Sequence, residues 1–140
     1  MISSCKEDIA REFEMKDLGI MHYFLELEVW QGDGEFFVSQ GKYANKILQR
    51  FCIDICEPME TPLATNWMKE TTISDEEVDA TIYQELVGSL MYHVNTQPDM
   101  CYVVNHLIQA MVRLTKLYWK VAKHVLWYLR GTTYYGLWYK

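Results

Sequence analysis

Seven aspartates are spread along the chain, at positions 8, 17, 33, 54, 75, 79 and 99, and no two are adjacent. Chemistry on two metal ions needs carboxylates that converge on the ions. Asp33 falls in a predicted turn, while Asp75 and Asp99 fall at predicted helix starts, Asp99 as an N-cap after Pro98. The run Asp75-Glu76-Glu77 with Asp79 attracts cations, but it lacks the glycine and alternating ligands of a calcium loop. It reads as a solvated helix start. Cys52 and Cys56 stand four apart, and no second cysteine or histidine pair follows at zinc spacing, so they read as free thiols. The histidines (22, 93, 106, 124) are scattered, and no zinc-protease, nucleophile-elbow or phosphate-loop pattern occurs. No catalytic or metal-ligating residue is assigned.

One stretch is suited to binding. Lys116, Lys120, Lys123, Trp127 and Arg130 follow i, i+4, i+7, i+11 and i+14, which lines them along one face of a helix. A basic face with an aromatic can hold a phosphate backbone and stack a base. The same pattern also describes the solvated polar face of an ordinary surface helix, and the acidic remainder of the chain favours that second reading.

Charge is distributed unevenly. Residues 1–40 carry three basic and nine acidic side chains, residues 41–112 four and ten, and residues 113–140 six basic and no acidic ones. The net charge of −6 therefore conceals a C-terminal fifth that attracts phosphate while the rest repels it. Half of the 140 residues are apolar, enough for a modest single-domain core. No apolar run spans a bilayer and no secretory signal opens the chain, so the four thiols are expected to be reduced and the location intracellular.

The elements that position these residues follow from period and punctuation. Ser4 and Glu7 fit a capping box, and Ile2, Cys5, Ile9 and Phe13 form a helical stripe, predicting a helix over about residues 4–16 that Leu18-Gly19 ends. Residues 21–31 alternate as a half-buried strand, Gly32-Asp33-Gly34 turns, and 35–40 returns as its partner. Helix resumes through Tyr43, Ala44, Ile47, Leu48 and Phe51. Residues 52–77, with Pro58 and Pro62, read as an irregular connector, closed by a second capping box at Ser74-Asp75-Glu76-Glu77. Three helices follow. Ile82, Leu86, Leu90 and Val94 mark the first, with Gly88-Ser89 permitting close approach of a neighbour. Met100, Val103, Val104, Leu107, Ile108 and Met111 mark the second. Leu117, Val121, Val125 and Leu129 mark the third, stopped by Gly131. The tail from Tyr134 has strand propensity but no evident partner. The expected class is α+β, an antiparallel β-hairpin packed with about five helices.

The ordered segments also resemble a known family. Phe13-Glu14-Met15-Lys16-Asp17-Leu18-Gly19, His22-Tyr23-Phe24-Leu25 and Leu27-Glu28-Val29 come first. Val38-Ser39-Gln40, Lys42-Tyr43-Ala44, Thr61-Pro62-Leu63, Tyr83 to Tyr92, and Pro98-Asp99 follow. Ala122 to Leu126 and Tyr128 to Thr132 complete the series. In order and spacing they resemble the Pol polyprotein of copia-type retrotransposons, in the reverse transcriptase region downstream of the catalytic Tyr-x-Asp-Asp hairpin. The resemblance implies a single truncated segment. Residues 1–51 would hold the palm-end helix, primer-grip-like hairpin and next helix. Residues 52–77 would be the connector, 78–131 the helical thumb or connection-like region, and 132–140 a tail toward a missing RNase H domain.

The departures are specific. The family pattern has Gly where Glu26 stands, Arg where Gln97 precedes Pro98-Asp99, a basic residue at Trp127 and an apolar one at His93. Three of these four changes weaken a hold on nucleic acid; a carboxylate at Glu26, for instance, repels a phosphate. The resemblance implies an RNA-directed DNA polymerase as the parent activity. The chain itself is expected to be inactive because the aspartate pair is absent. The parent would use magnesium, whose ligands are missing here, so no cofactor is expected. The expected partners are a weakly held RNA/DNA hybrid, at the basic helix, and the missing palm and RNase H segments. No membrane partner is expected. A host-retained interaction protein, using the aromatic tail and an unpaired hairpin edge, is the further alternative.

Overall fold

The computed structural model describes residues 2–17, 19–53, 56–69 and 79–140. Its elements run α1 (Ile2–Glu12), β1 (Tyr23–Phe24), β2 (Leu27–Gly32), β3 (Glu35–Ser39), α2 (Gly41–Arg50), α3 (Ala80–His93), α4 (Cys101–Gln109), α5 (Lys116–Gly131) and β4 (Gly136–Tyr139). Short 3₁₀ turns lie at Trp67–Lys69, Pro98–Met100 and Ala110–Val112. The class is mixed α and β, with five α-helices and one antiparallel sheet among the described residues.

The core belongs to four helices. It is built from Ala44, Ile47 and Leu48 of α2; Tyr83, Leu86, Val87 and Leu90 of α3; Val103, Val104 and Leu107 of α4; and Val121, Ala122, Val125, Leu126, Tyr128 and Leu129 of α5. Each fully buried leucine contributes roughly 1.5–3 kcal/mol. The one polar atom that Tyr83 brings into this core is satisfied, since its hydroxyl donates to the Leu107 carbonyl at 2.8 Å. The α3 stripe is rotated from its expected line: Leu86 and Leu90 are buried, but Ile82 is exposed and Tyr83 and Val87 take the inner face. Nor does Gly88 admit a neighbour, because the space beside it is open.

Helix α1 departs from expectation in both position and packing. It is under way from Ile2, so Ser4 lies inside it instead of capping it, and it ends at Glu12. None of its residues is buried, and Ile2, Ile9 and Phe13 stand exposed. The capping box at residues 74–77, the end signal at Leu18, and Asp54 lie outside the described residues. Helix α3 is instead started by Asp79, whose carboxylate accepts from the Thr81 and Ile82 N–H groups at 2.8 and 3.3 Å.

The sheet is larger than a hairpin. Its order is β1-β2-β3-β4, all antiparallel. The tail is its fourth strand, with Trp138 paired opposite Phe37 and Gly136 opposite Ser39. Gly136 permits that approach, since a Cβ there would lie 2.4 Å from the Val38 carbonyl oxygen. The predicted first strand is broken at Leu25 and Glu26, which have φ of 48° and 65° and form the two-residue loop between β1 and β2. Positive φ at both loop residues matches the right-handed twist of a hairpin. The resemblance places a glycine at position 26, where this backbone conformation costs least. No sheet residue reaches the buried core.

Candidate nucleic-acid interface

Helix α5 presents its apolar stripe inward, so the opposite side is fixed by geometry. Lys120 and Lys123 stand exposed on that side, and the Lys123 ammonium lies 5.4 Å above the Trp119 ring. Lys116 is half-buried in the first turn, and both it and Lys120 make contacts of their own. Arg130 is directed elsewhere: its Nη1 donates to the Ile53 carbonyl at 3.2 Å. Trp127 is half-buried.

The connector explains this division. Instead of straying into solvent, its described part lies along α5. A Cβ on Gly131 would come 3.0 Å from Pro58 Cβ, the Met59 N–H donates to the Trp127 carbonyl at 3.2 Å, and a His124 ring nitrogen meets the Thr61 carbonyl at 2.9 Å. Leu63, Ala64 and Trp67 then face Leu117, Val121 and Trp127 across a groove that Lys120, Lys123 and His124 also line. The structure thus brings Lys120, Lys123 and Trp127 to one place, and leaves Lys116 and Arg130 outside it. Sequence reading missed Trp119, His124 and Trp67. The i, i+4, i+8 spacing of Trp119, Lys123 and Trp127 would have revealed the first; no local signal points to Trp67.

The hairpin carries charge that is already matched. The Glu26 carboxylate accepts from Lys46 Nζ at 2.8 and 2.9 Å and from the Tyr23 hydroxyl at 2.6 Å. Those hydrogen bonds, Lys46 first, hold the carboxyl below its ordinary range. Glu28 accepts from the Lys42 N–H at 2.9 Å and pairs with its ammonium at 3.4 Å. Both lysines of α2 are thus turned toward hairpin carboxylates, so the repulsion expected at Glu26 is largely compensated within the fold.

Four of the described aspartates are employed structurally. Asp8 pairs with Arg11, and Asp79 caps α3. Asp17 pairs with Lys6 at 2.6 Å and accepts from the Gly19 N–H, and the Lys6 hydrogen bond leads in lowering its pKa. Asp99 is not the N-cap expected of it; its carboxylate accepts the Tyr128 hydroxyl, and Met100 occupies the cap position of α4 without a side-chain bond. Burial and that bond push the Tyr128 pKa up to about 12. Among the described residues no three His, Cys, Asp or Glu side chains are grouped to hold a metal ion.

Comparison with known proteins decides the ancestry. Residues 1–65 match the family described as reverse transcriptase (RNA-dependent DNA polymerase). An uncharacterized mitochondrial protein of Arabidopsis thaliana is 36% identical over 129 residues, 92% of this chain and 53% of that protein. The retrovirus-related Pol polyprotein from transposon TNT 1-94 of Nicotiana tabacum is 34% identical over 142 aligned positions, 95% of this chain and 11% of the polyprotein. The chain belongs to the copia-type retrotransposon reverse transcriptase family. The Pol polyprotein from transposon RE1 of Arabidopsis thaliana is likewise similar, 31% identical across 100% of this chain and 10% of the polyprotein. This reverse transcriptase segment therefore spans about half the length of the first relative and about a tenth of these Pol polyproteins. No solved structure matches it.

Proposed function

We propose that this reverse transcriptase segment performs no nucleotidyl transfer by itself and retains a nucleic-acid grip on α5. The sheet corresponds to a primer-grip-like hairpin and the helical region to a thumb or connection-like unit. The first half of the reading rests on the scattered carboxylates: no two aspartates are adjacent, and Asp8, Asp17, Asp79 and Asp99 each serve a structural bond. The observation that carries the second half is the pair Lys120 and Lys123, exposed on one face of the chain's wholly basic C-terminal fifth. Phosphates held by so few cations bind weakly, and the affinity falls steeply with salt.

Titration of the full chain with an RNA/DNA primer–template hybrid at low and moderate salt tests the grip. The expected result is salt-sensitive binding that the double substitution Lys120→Glu, Lys123→Glu abolishes. Absence of binding by folded protein at low salt overturns it. Template-dependent incorporation of nucleotides by the purified chain overturns the first half.

A further inference from the structure

Helix α2 carries a basic line of its own. Lys42, Lys46 and Arg50 recur at i, i+4 and i+8, which puts them on one face, while Ala44, Ile47 and Leu48 are buried on the other. Successive cations on that face are about 6 Å apart along the helix axis, a step that a phosphodiester backbone can follow. Each is held by a carboxylate from another part of the fold: Lys42 by Glu28 at 3.4 Å, Lys46 by Glu26 at 2.8 Å and Arg50 by Glu85 at 2.9 Å. The three cationic side chains are still 67%, 60% and 58% exposed. Ion pairs this open to water add little to stability, so an incoming anion competes with the carboxylates on nearly even terms.

Glu26 is more than a casual surface partner. Both of its carboxylate oxygens accept from Lys46 Nζ, and one also accepts from the Tyr23 hydroxyl. The residue holds a φ of 65°, a conformation that disfavours any side chain, yet it adds nothing to the buried core. Strain kept for the sake of a carboxylate on a lysine marks that contact as functional.

We infer that Glu26 and Glu28 stand in for two backbone phosphates on α2, so that the β1–β2 hairpin masks a second nucleic-acid surface formed by Lys42 and Lys46. The contact is autoinhibitory: a nucleic acid reaches the lysines only by displacing the hairpin carboxylates. The inference rests on the proposed function for the class of ligand alone, since its residues lie on α2 and the hairpin and not on α5.

Removing the Glu26 charge tests it. Glu26→Gln keeps the shape of the side chain, and Glu26→Gly also suits the positive φ, so the hairpin is not put at risk. Glu12→Gln takes the same charge from exposed α1 and serves as the control. The full chain of each is titrated with a fluorescent RNA/DNA primer–template hybrid, and anisotropy is read at low and moderate salt. Both Glu26 variants are expected to bind about threefold or more tighter than the parent at low salt, with a salt slope steeper by about one. Adding Lys46→Gln to Glu26→Gln should return the parent affinity, and Glu12→Gln should give a smaller gain. No gain in either Glu26 variant with an unchanged helical spectrum overturns the inference, as does an equal gain from Glu12→Gln or a gain that survives Lys46→Gln. The two readings fail separately. A parent that does not bind overturns the α5 grip, yet Lys46-dependent binding by Glu26→Gln still supports the mask. A parent that binds without any gain in the Glu26 variants overturns the mask and leaves the grip.

Discussion

His93 and Gln97 meet inside the core: His93 Nε2 lies 3.1 Å from Gln97 Oε1, with both side chains buried. These are two of the four positions at which the chain departs from the family pattern, and the fold makes them partners. Gln97 Nε2 then donates to Thr132 Oγ1 at 2.8 Å, and that hydroxyl donates to the Tyr128 carbonyl at 3.0 Å. The relay ties the end of α3 to the end of α5. A buried arginine at position 97 would need a different neighbour from histidine. Gln97→Arg is expected to lower stability by about 2 kcal/mol or more, since it buries an unpaired charge. Adding His93→Leu should change that loss non-additively, with a coupling of about 1 kcal/mol in a double-mutant cycle read by chemical denaturation.

The same histidine makes stability depend on pH. Burial leads in holding its pKa below the ordinary 6.5, against smaller opposing contributions from Gln97 and Asp99. The unfolded chain therefore takes up a proton near pH 6.5 that the folded chain refuses until lower pH. Stability is full above that value and falls as pH drops below it, levelling once the folded His93 protonates. Melting temperatures measured from pH 7.5 to 5 should show this slope, and His93→Gln should flatten it relative to the parent.

The loop at Leu25-Glu26 stores backbone strain, since two non-glycine residues hold positive φ. Leu25 is exposed, and only its carbonyl is used, as acceptor of the Tyr92 hydroxyl. Leu25→Asn keeps that carbonyl and tolerates the conformation, so it should stabilise the chain by about 0.5–1 kcal/mol. A lower denaturation midpoint in this variant would contradict the reading.

Gly136→Val should detach β4 while sparing the helices. Its side chain would collide with the Val38 carbonyl, and the stacked Trp30 and Trp138 rings, now 5.5 Å apart, would separate. Near-ultraviolet circular dichroism should lose intensity while the far-ultraviolet helical signal persists, because no sheet residue lies in the buried core.

Asp79→Ala removes the two bonds that start α3 and should cost about 1 kcal/mol. Thermal melts report it, and Asp79→Ser should restore most of the loss.

The sequence by itself determined the helices that bury a stripe, because a 3.6-residue period is a local property. Residues 41–50, 101–109 and 116–131 all lie where their apolar spacing puts them. It also located the 32–34 turn, the return strand and the family, whose motifs survive as ordered local words. Tertiary structure alone decided the rest. Gly136 to Tyr139 have no strand partner until β3, about a hundred residues earlier in the chain, supplies one. The 56–69 connector became the wall of a groove because Gly131, the Trp127 carbonyl and His124 receive it, and no periodicity encodes that. Helix α1 has the right stripe but remains uncovered among the described residues, since amphipathicity states a need for a partner and does not supply one. Lys116, Lys120, Lys123, Trp127 and Arg130 all lie on α5. Their division into exposed lysines, a walled-in tryptophan and an anchored arginine followed from long-range packing that spacing does not record.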